Sequence, residues 1–211
     1  MNEDFKNNSA NYDGNLRLKL YRALSWLNEA DRQKDCLDFC FISLWISFNA
    51  VYADELSFFQ GRQDLKAFLK KVCSLDKNNI LYSLVWNNFS NNIRLFLKNK
   101  FIFQPFWDAL NNPKKEQAKN WEKEFKRDNK RALKAMGDLD TAKILNIIFG
   151  RLYTLRNQIL HGGATFESST NIAQKKEACT FLLNILPAII KIIMDNAGVN
   201  WGQAYYPVVE S

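Results

Sequence analysis

The chain has 211 residues, with 29 Lys+Arg against 22 Asp+Glu for a formal net charge of +7, and it is 47% hydrophobic and 24% charged. That length corresponds to about one domain, long enough to bury its own core, and the composition excludes a disordered or collagen-like chain. Eight Gly and four Pro are too few for a turn-rich sandwich or barrel, so an all-α fold is expected. Cys36, Cys40, Cys73 and Cys179 beside a single histidine, His161, do not make a zinc site of paired ligands. They predict reduced, mostly buried thiols in a cytosolic protein, with no metal or other cofactor.

Residues 1–14 are polar, with neither an apolar core nor an Arg-rich amphipathic pattern, and read as a flexible tail rather than a targeting peptide. Leu16, Leu20, Ala23, Leu24 and Leu27 recur at helical spacing and predict an amphipathic helix over Leu16–Arg32. The stretch Leu37–Ala53 is apolar nearly all round, as a helix in the middle of a bundle or between two chains would be. Asp38, Ser43, Ser47 and Asn49 interrupt it, and Asn184, Pro187 and Lys191 interrupt Cys179–Met194. Both fall short of the ~20 clean apolar residues of a membrane span, so no membrane is expected.

Between residues 57 and 137 the pattern shortens to helical pieces around Asp64–Val72, Ile80–Phe89 and Ile93–Lys98, separated by Asn-rich joints. The run from Lys114 to Met136 then holds nine Lys/Arg and four Asp/Glu, most of the chain's net charge. On a helix Lys115, Lys119, Lys123, Lys126, Lys130 and Lys134 gather within about 100°, while Ala118, Trp121, Phe125, Ala132 and Met136 take another face. Such a stripe is either a solvated surface or an electrostatic footprint for a polyanion. Asp138 and Asp140 are candidate N-caps for a long helix that ends at Gly162-Gly163, where left-handed backbone is available. A last helix, Ile172–Asn196, carries a kinking Pro187, and residues 198–211 form a tail. The chain shows no internal repeat, phosphate loop, G-x-S-x-G elbow or H-E-x-x-H helix.

The end of the long helix reads Arg156-Asn157-Gln158-Ile159-Leu160-His161-Gly162. Residues five apart on a helix diverge by about 140°, so Arg156 and His161 do not converge there, whereas Asn157 and His161 share a side. A histidine at a helix C-terminus sits where the dipole favours a cation. On these residues alone, a histidine capping the last carbonyls beside an exposed arginine is the simpler reading.

This segment resembles the R-x4-6-H motif of the HEPN superfamily, and Leu44-Trp45-Ile46-Ser47-Phe48-Asn49-Ala50-Val51-Tyr52 is similar to the W-x-A/S-F-N-A-x-Y helix of bacterial HEPN-domain proteins. Together with the first and last helices the resemblance covers roughly half the chain, and leaves residues 57–137 as a helical insertion in a HEPN-like domain over 15–197. It implies a bundle that forms a homodimer with two motifs across one cleft. It further implies a metal-independent endoribonuclease, acting as a toxin or antiviral defence effector, with an antitoxin or regulatory protein as a further partner. Arg156 would hold the phosphate, His161 would move protons and Asn157 would orient either the histidine or the phosphate. Asn49 and Tyr52 are polar candidates for the cleft, although a core Asn and an edge Tyr explain them as well. Lys119, Lys123, Lys126 and Lys130 are candidates for binding RNA. Trp45 reads as core.

One subgroup of these toxins, paired with a nucleotidyltransferase antitoxin that modifies a tyrosine, has Tyr two residues after the histidine. This chain has Gly163 there. A non-catalytic HEPN-like module that binds nucleotide or protein, and a structural helical protein whose lysines solubilise it, are the rival readings.

Overall fold

The computed structural model describes residues 1–53, 62–114, 120–169 and 171–206. Among them the chain is all-α, with ten helices and no strand. Four long helices follow the expected bounds: α2 (Gly14–Arg32), α3 (Leu37–Tyr52), α9 (Thr141–Leu160) and α10 (Ile172–Asp195), with the short α1 (Asn2–Asn8) ahead of them. Asp13 starts α2 by accepting the Leu16 amide at 3.0 Å, and Asp140 starts α9 by accepting the Lys143 amide at 3.0 Å. Asp138, the other candidate, instead ends the preceding helix.

The all-round apolar α3 packs on both α2 and α10. Its buried hydroxyl at Ser47 donates to the Ala23 carbonyl at 2.8 Å, so the α2–α3 seam leaves that polar group satisfied. α10 runs through Pro187 as one helix. By length and composition it is sufficient to cross a membrane, contrary to the sequence expectation, but 67% of its apolar window is buried within the bundle. A core helix has that character.

Residues 57–137 supply α4 (Arg62–Ser74), α5 (Ile80–Ser83) with a π turn over Leu84–Asn88, α6 (Ser90–Lys98), α7 (Gln104–Asn111) and α8 (Trp121–Gly137). Short helices such as α5, α6 and α7 gain their stability from tertiary packing rather than from propensity. The insertion buries its apolar residues on the long ones: Leu69, Leu81, Val85, Ile93 and Ile102 belong to the same buried cluster as the four-helix residues. Phe89 and Phe96 meet Phe181 of α10 edge-on, at 5.5 and 6.0 Å between centroids. The Asn-rich joint before α5 holds Asn79 at φ 53°, and the Asp76 carboxylate accepts the amides of Ile80 and Leu81 at 2.9 and 2.8 Å. The insertion is therefore part of one core.

Where the sequence suggested tails, residues 1–14 and 198–206 are structured, and residues 207–211 lie outside the described residues. The first contains α1 and a buried Tyr12. At the other end Trp201 and Ala204 are buried, because three cations hold the segment down: Lys19 donates to the Trp201 carbonyl at 2.9 Å, Arg22 to those of Tyr205 and Tyr206, and Lys71 to that of Asn200. Lys71 also lies 4.5 Å from the Trp201 ring.

Candidate active site

α9 ends in a Schellman cap. His161 is the last residue near helical geometry, Gly162 takes φ +69°, the Gly162 amide donates to the Ile159 carbonyl and the Gly163 amide to that of Gln158 at 2.7 Å. A Cβ on Gly163 would lie 2.8 Å from the Gln158 carbonyl oxygen, so this position accepts glycine alone without a shift of backbone. Gly163 is thus built into the turn.

On that cap His161 is exposed, and its imidazole has no partner among the described residues. Arg156 is half-buried. Its Nη1 donates to Asn157 Oδ1 at 3.0 Å, its guanidinium lies over the Tyr153 ring at 5.9 Å, and its buried Nε has no partner. Asn157 is held from one side by the arginine and its carbonyl accepts the His161 amide. The structure therefore joins Arg156 to Asn157 and sets His161 one turn further on, without direct contact between the two charged groups.

Gln158, which the motif does not single out, anchors the same turn from inside. Its amide donates to the Phe101 carbonyl, its Oε1 accepts from Asn171 at 2.9 Å, and its backbone oxygen closes the cap. Asp38 and Lys175 fix the following loop. They form a buried ion pair at 2.6 Å, and the second carboxylate oxygen of Asp38 accepts the Glu167 amide at 2.8 Å. The trace of this pair in sequence is an aspartate interrupting an apolar helix; its partner lies 137 residues away.

α8 runs back along α9 after a three-residue turn, and Arg151 clamps the two. Its side chain is buried, pairs with Asp128 at 2.7 Å and lies 4.3 and 5.1 Å from the Phe103 and Phe125 rings. Burial draws its pKa down while the Asp128 carboxylate acts the other way. In this antiparallel register Lys123 and Lys126 lie level with Arg156 and Tyr153. Lys123, Lys126, Lys130 and Lys134 are exposed with no carboxylate partner among the described residues; Lys115, Ala118 and Lys119 lie outside them.

Asn49 and Tyr52 are elsewhere. Trp45 meets Tyr153 at 6.0 Å and Phe48 meets Phe149 at 4.3 Å, so α3 and α9 are antiparallel. Asn49 is then about 10 Å along the axis from the level of Arg156, and Tyr52 further still. Tyr52 stacks on Phe48 at 5.3 Å and packs against Phe68, at the bundle's other end. Trp45 is buried in the core.

Among the described residues no three or more His, Cys, Asp or Glu are grouped to hold a metal ion, and all four cysteines are unpaired, Cys40 and Cys179 buried and the other two half-buried. A cavity of about 490 Å³ lies against the far end of α10, lined by Asp4, Asn8, Tyr12, Lys191 and Asp195 among others. That is roughly 30 Å along α10 from the motif loop. No known protein family, curated protein or solved structure matches the chain.

Proposed function

We propose that the protein is an endoribonuclease of the HEPN type, cleaving RNA without a metal at a cleft shared by two chains, as a toxin or defence effector. The observation that carries this reading is the exposed imidazole of His161, without a partner among the described residues, on a rigid cap one turn from an arginine already oriented by Asn157. In the reaction a base takes the proton of the ribose 2′-hydroxyl and the 2′-oxygen bonds to the adjacent phosphorus. The bond from phosphorus to the 5′-oxygen then breaks, and an acid protonates that oxygen. Arg156 neutralises the equatorial oxygens of the phosphorane, as a planar donor does best. His161 serves as base or acid, and the second imidazole comes from the other chain. The exposed lysines of α8 attract the phosphate backbone independently of base sequence.

The test is cleavage of a labelled RNA by the parent protein, His161→Ala and Arg156→Ala in the presence of a chelator. The parent should leave 2′,3′-cyclic phosphate and 5′-hydroxyl ends, and either variant should lose on the order of 10²-fold or more in rate. Equal rates in parent and His161→Ala, or 5′-phosphate ends, reject the mechanism. A non-catalytic binding module is the second reading, favoured by the half-buried guanidinium of Arg156, which does not contact His161, and by the lone imidazole per chain. It predicts RNA or nucleotide binding without any products.

A further inference from the structure

The cavity of about 490 Å³ at the far end of α10 is walled by α1 and the turn after it on one side and by the last turn of α10 on the other. Asn2 ties α1 down by donating to the side chain of Asn28 on α2 at 3.0 Å, and Phe5 stacks on Tyr12 with centroids 6.1 Å apart. Tyr12 is only 8% exposed, yet it lines the cavity, and its hydroxyl has no hydrogen-bond partner among the described residues. A buried phenol usually finds a partner, since a hydroxyl taken from water without one costs stability. The Tyr12 hydroxyl is thus available to a molecule in the cavity.

The charges around that hydroxyl select the molecule. Asp4 and Asp195 line the cavity, and Lys191 is already paired with Asp195 one turn away. Burial raises the Tyr12 phenol above its ordinary pKa, Asp195 and Asp4 push it the same way, and Lys191 opposes them. The field at the hydroxyl is therefore negative, and the C-terminal end of the α10 dipole adds to it. A cation is drawn in and an anion repelled. Among the described residues no third His, Cys, Asp or Glu joins the two carboxylates, which by themselves are a poor cage for a metal ion. The volume is that of a small-molecule site rather than of a bare ion. An ammonium group has three N–H donors and no acceptor, which matches two carboxylates and a hydroxyl oxygen. Asp4 already holds one ammonium through Oδ2, the Met1 amino group at 3.5 Å, and its other oxygen remains. We propose that this cavity binds a small organic amine, with its ammonium held by Asp4, Asp195 and the Tyr12 hydroxyl. The site is remote from the motif loop and does not rest on the ribonuclease reading.

The test is calorimetric titration of the full chain with putrescine and with spermidine, and with butanediol as the uncharged counterpart of putrescine. The chain has a net charge of +7, so amines have no general attraction to it and saturable binding reports a site. Both amines should bind and raise the unfolding temperature with concentration, and butanediol should do neither. Tyr12→Phe keeps the ring on Phe5 and removes only the hydroxyl. It should weaken amine binding by about 10- to 150-fold, the worth of a hydrogen bond to a charged group, while the unfolding temperature without ligand stays close to the parent's. Lys191→Met removes the opposing cation and frees Asp195, so it should tighten binding; this arm decides the matter if Tyr12→Phe folds poorly. Absence of saturable amine binding, unchanged affinity in a well-folded Tyr12→Phe, equal or weaker binding by Lys191→Met, or butanediol binding as tightly as putrescine each overturns the proposal. Displacement of both amines by an equal concentration of Mg²⁺ overturns it in favour of a metal site.

Discussion

Gly163 shows how one atom constrains the proposed site. Its amide closes the α9 cap on the Gln158 carbonyl, and the same approach leaves no room for a Cβ. Gly162 differs: it needs the left-handed conformation, yet nothing lies within 4 Å of a Cβ there. Gly162→Ala should therefore cost only the left-handed penalty of about 1–2 kcal/mol, while the backbone around Gly162 and Gly163 stays in place. Gly163→Ala must instead push the Gln158 carbonyl away, disturbing the turn that carries His161 and the side-chain bonds of Gln158 to Phe101 and Asn171. It is expected to lower RNA cleavage more than Gly162→Ala does at equal melting temperature. Kinetics and thermal unfolding of the two variants side by side check this.

At the scale of elements, the clamp between α8 and α9 is a single side chain. Removing Arg151 deletes a buried ion pair and two ring contacts at once, leaving Asp128 partly exposed to water rather than stranded. Arg151→Ala should destabilise the fold by about 2–4 kcal/mol in denaturant titration, and Arg151→Met, which keeps the aliphatic bulk, by less. Equal stability of Arg151→Ala and the parent would mean that α8 is held by Ala132, Ala135 and its aromatic face alone. The sequence carried much of this element-level picture. Helical spacing of Leu16, Leu20 and Leu24, the Asp140 cap and the Gly162-Gly163 end are local signals, and local signals survive in a single sequence. Long-range pairs do not. Nothing near Asp38 points to Lys175, nothing near Lys19 points to the carbonyl of Trp201, polarity made the N-terminal stretch look like a tail, and the C-terminal segment carried no periodicity to assign. The R-N-x3-H end of α9 was legible as a candidate site, but Gln158, whose partners come from two other elements, and the distance of Asn49 from Arg156 required the packing of α3 on α9.

The whole molecule contains one imidazole, and two-imidazole acid–base catalysis therefore depends on the encounter of two chains. The outward side of α3 offers a seam: Ile42 and Ile46 are half-buried and stand outside the core cluster, and Tyr153 of α9, which meets Trp45 of α3, is exposed. A two-fold axis there would pair like surfaces and bring two copies of α9 together. The proposed dimer has a kinetic signature. Well below the dimer dissociation constant the concentration of dimers rises as the square of total protein, so the cleavage rate should be second order in protein and become first order once dimers dominate. Ile46→Lys, which adds charge to the seam without touching the buried cluster, should shift that crossover to higher protein concentration while leaving the plateau rate per dimer and the unfolding temperature of the monomer close to the parent's. Cleavage that is first order at every concentration, by a chain that sediments as a monomer, would show that one protomer suffices and that a group other than a second His161 completes the proton transfers.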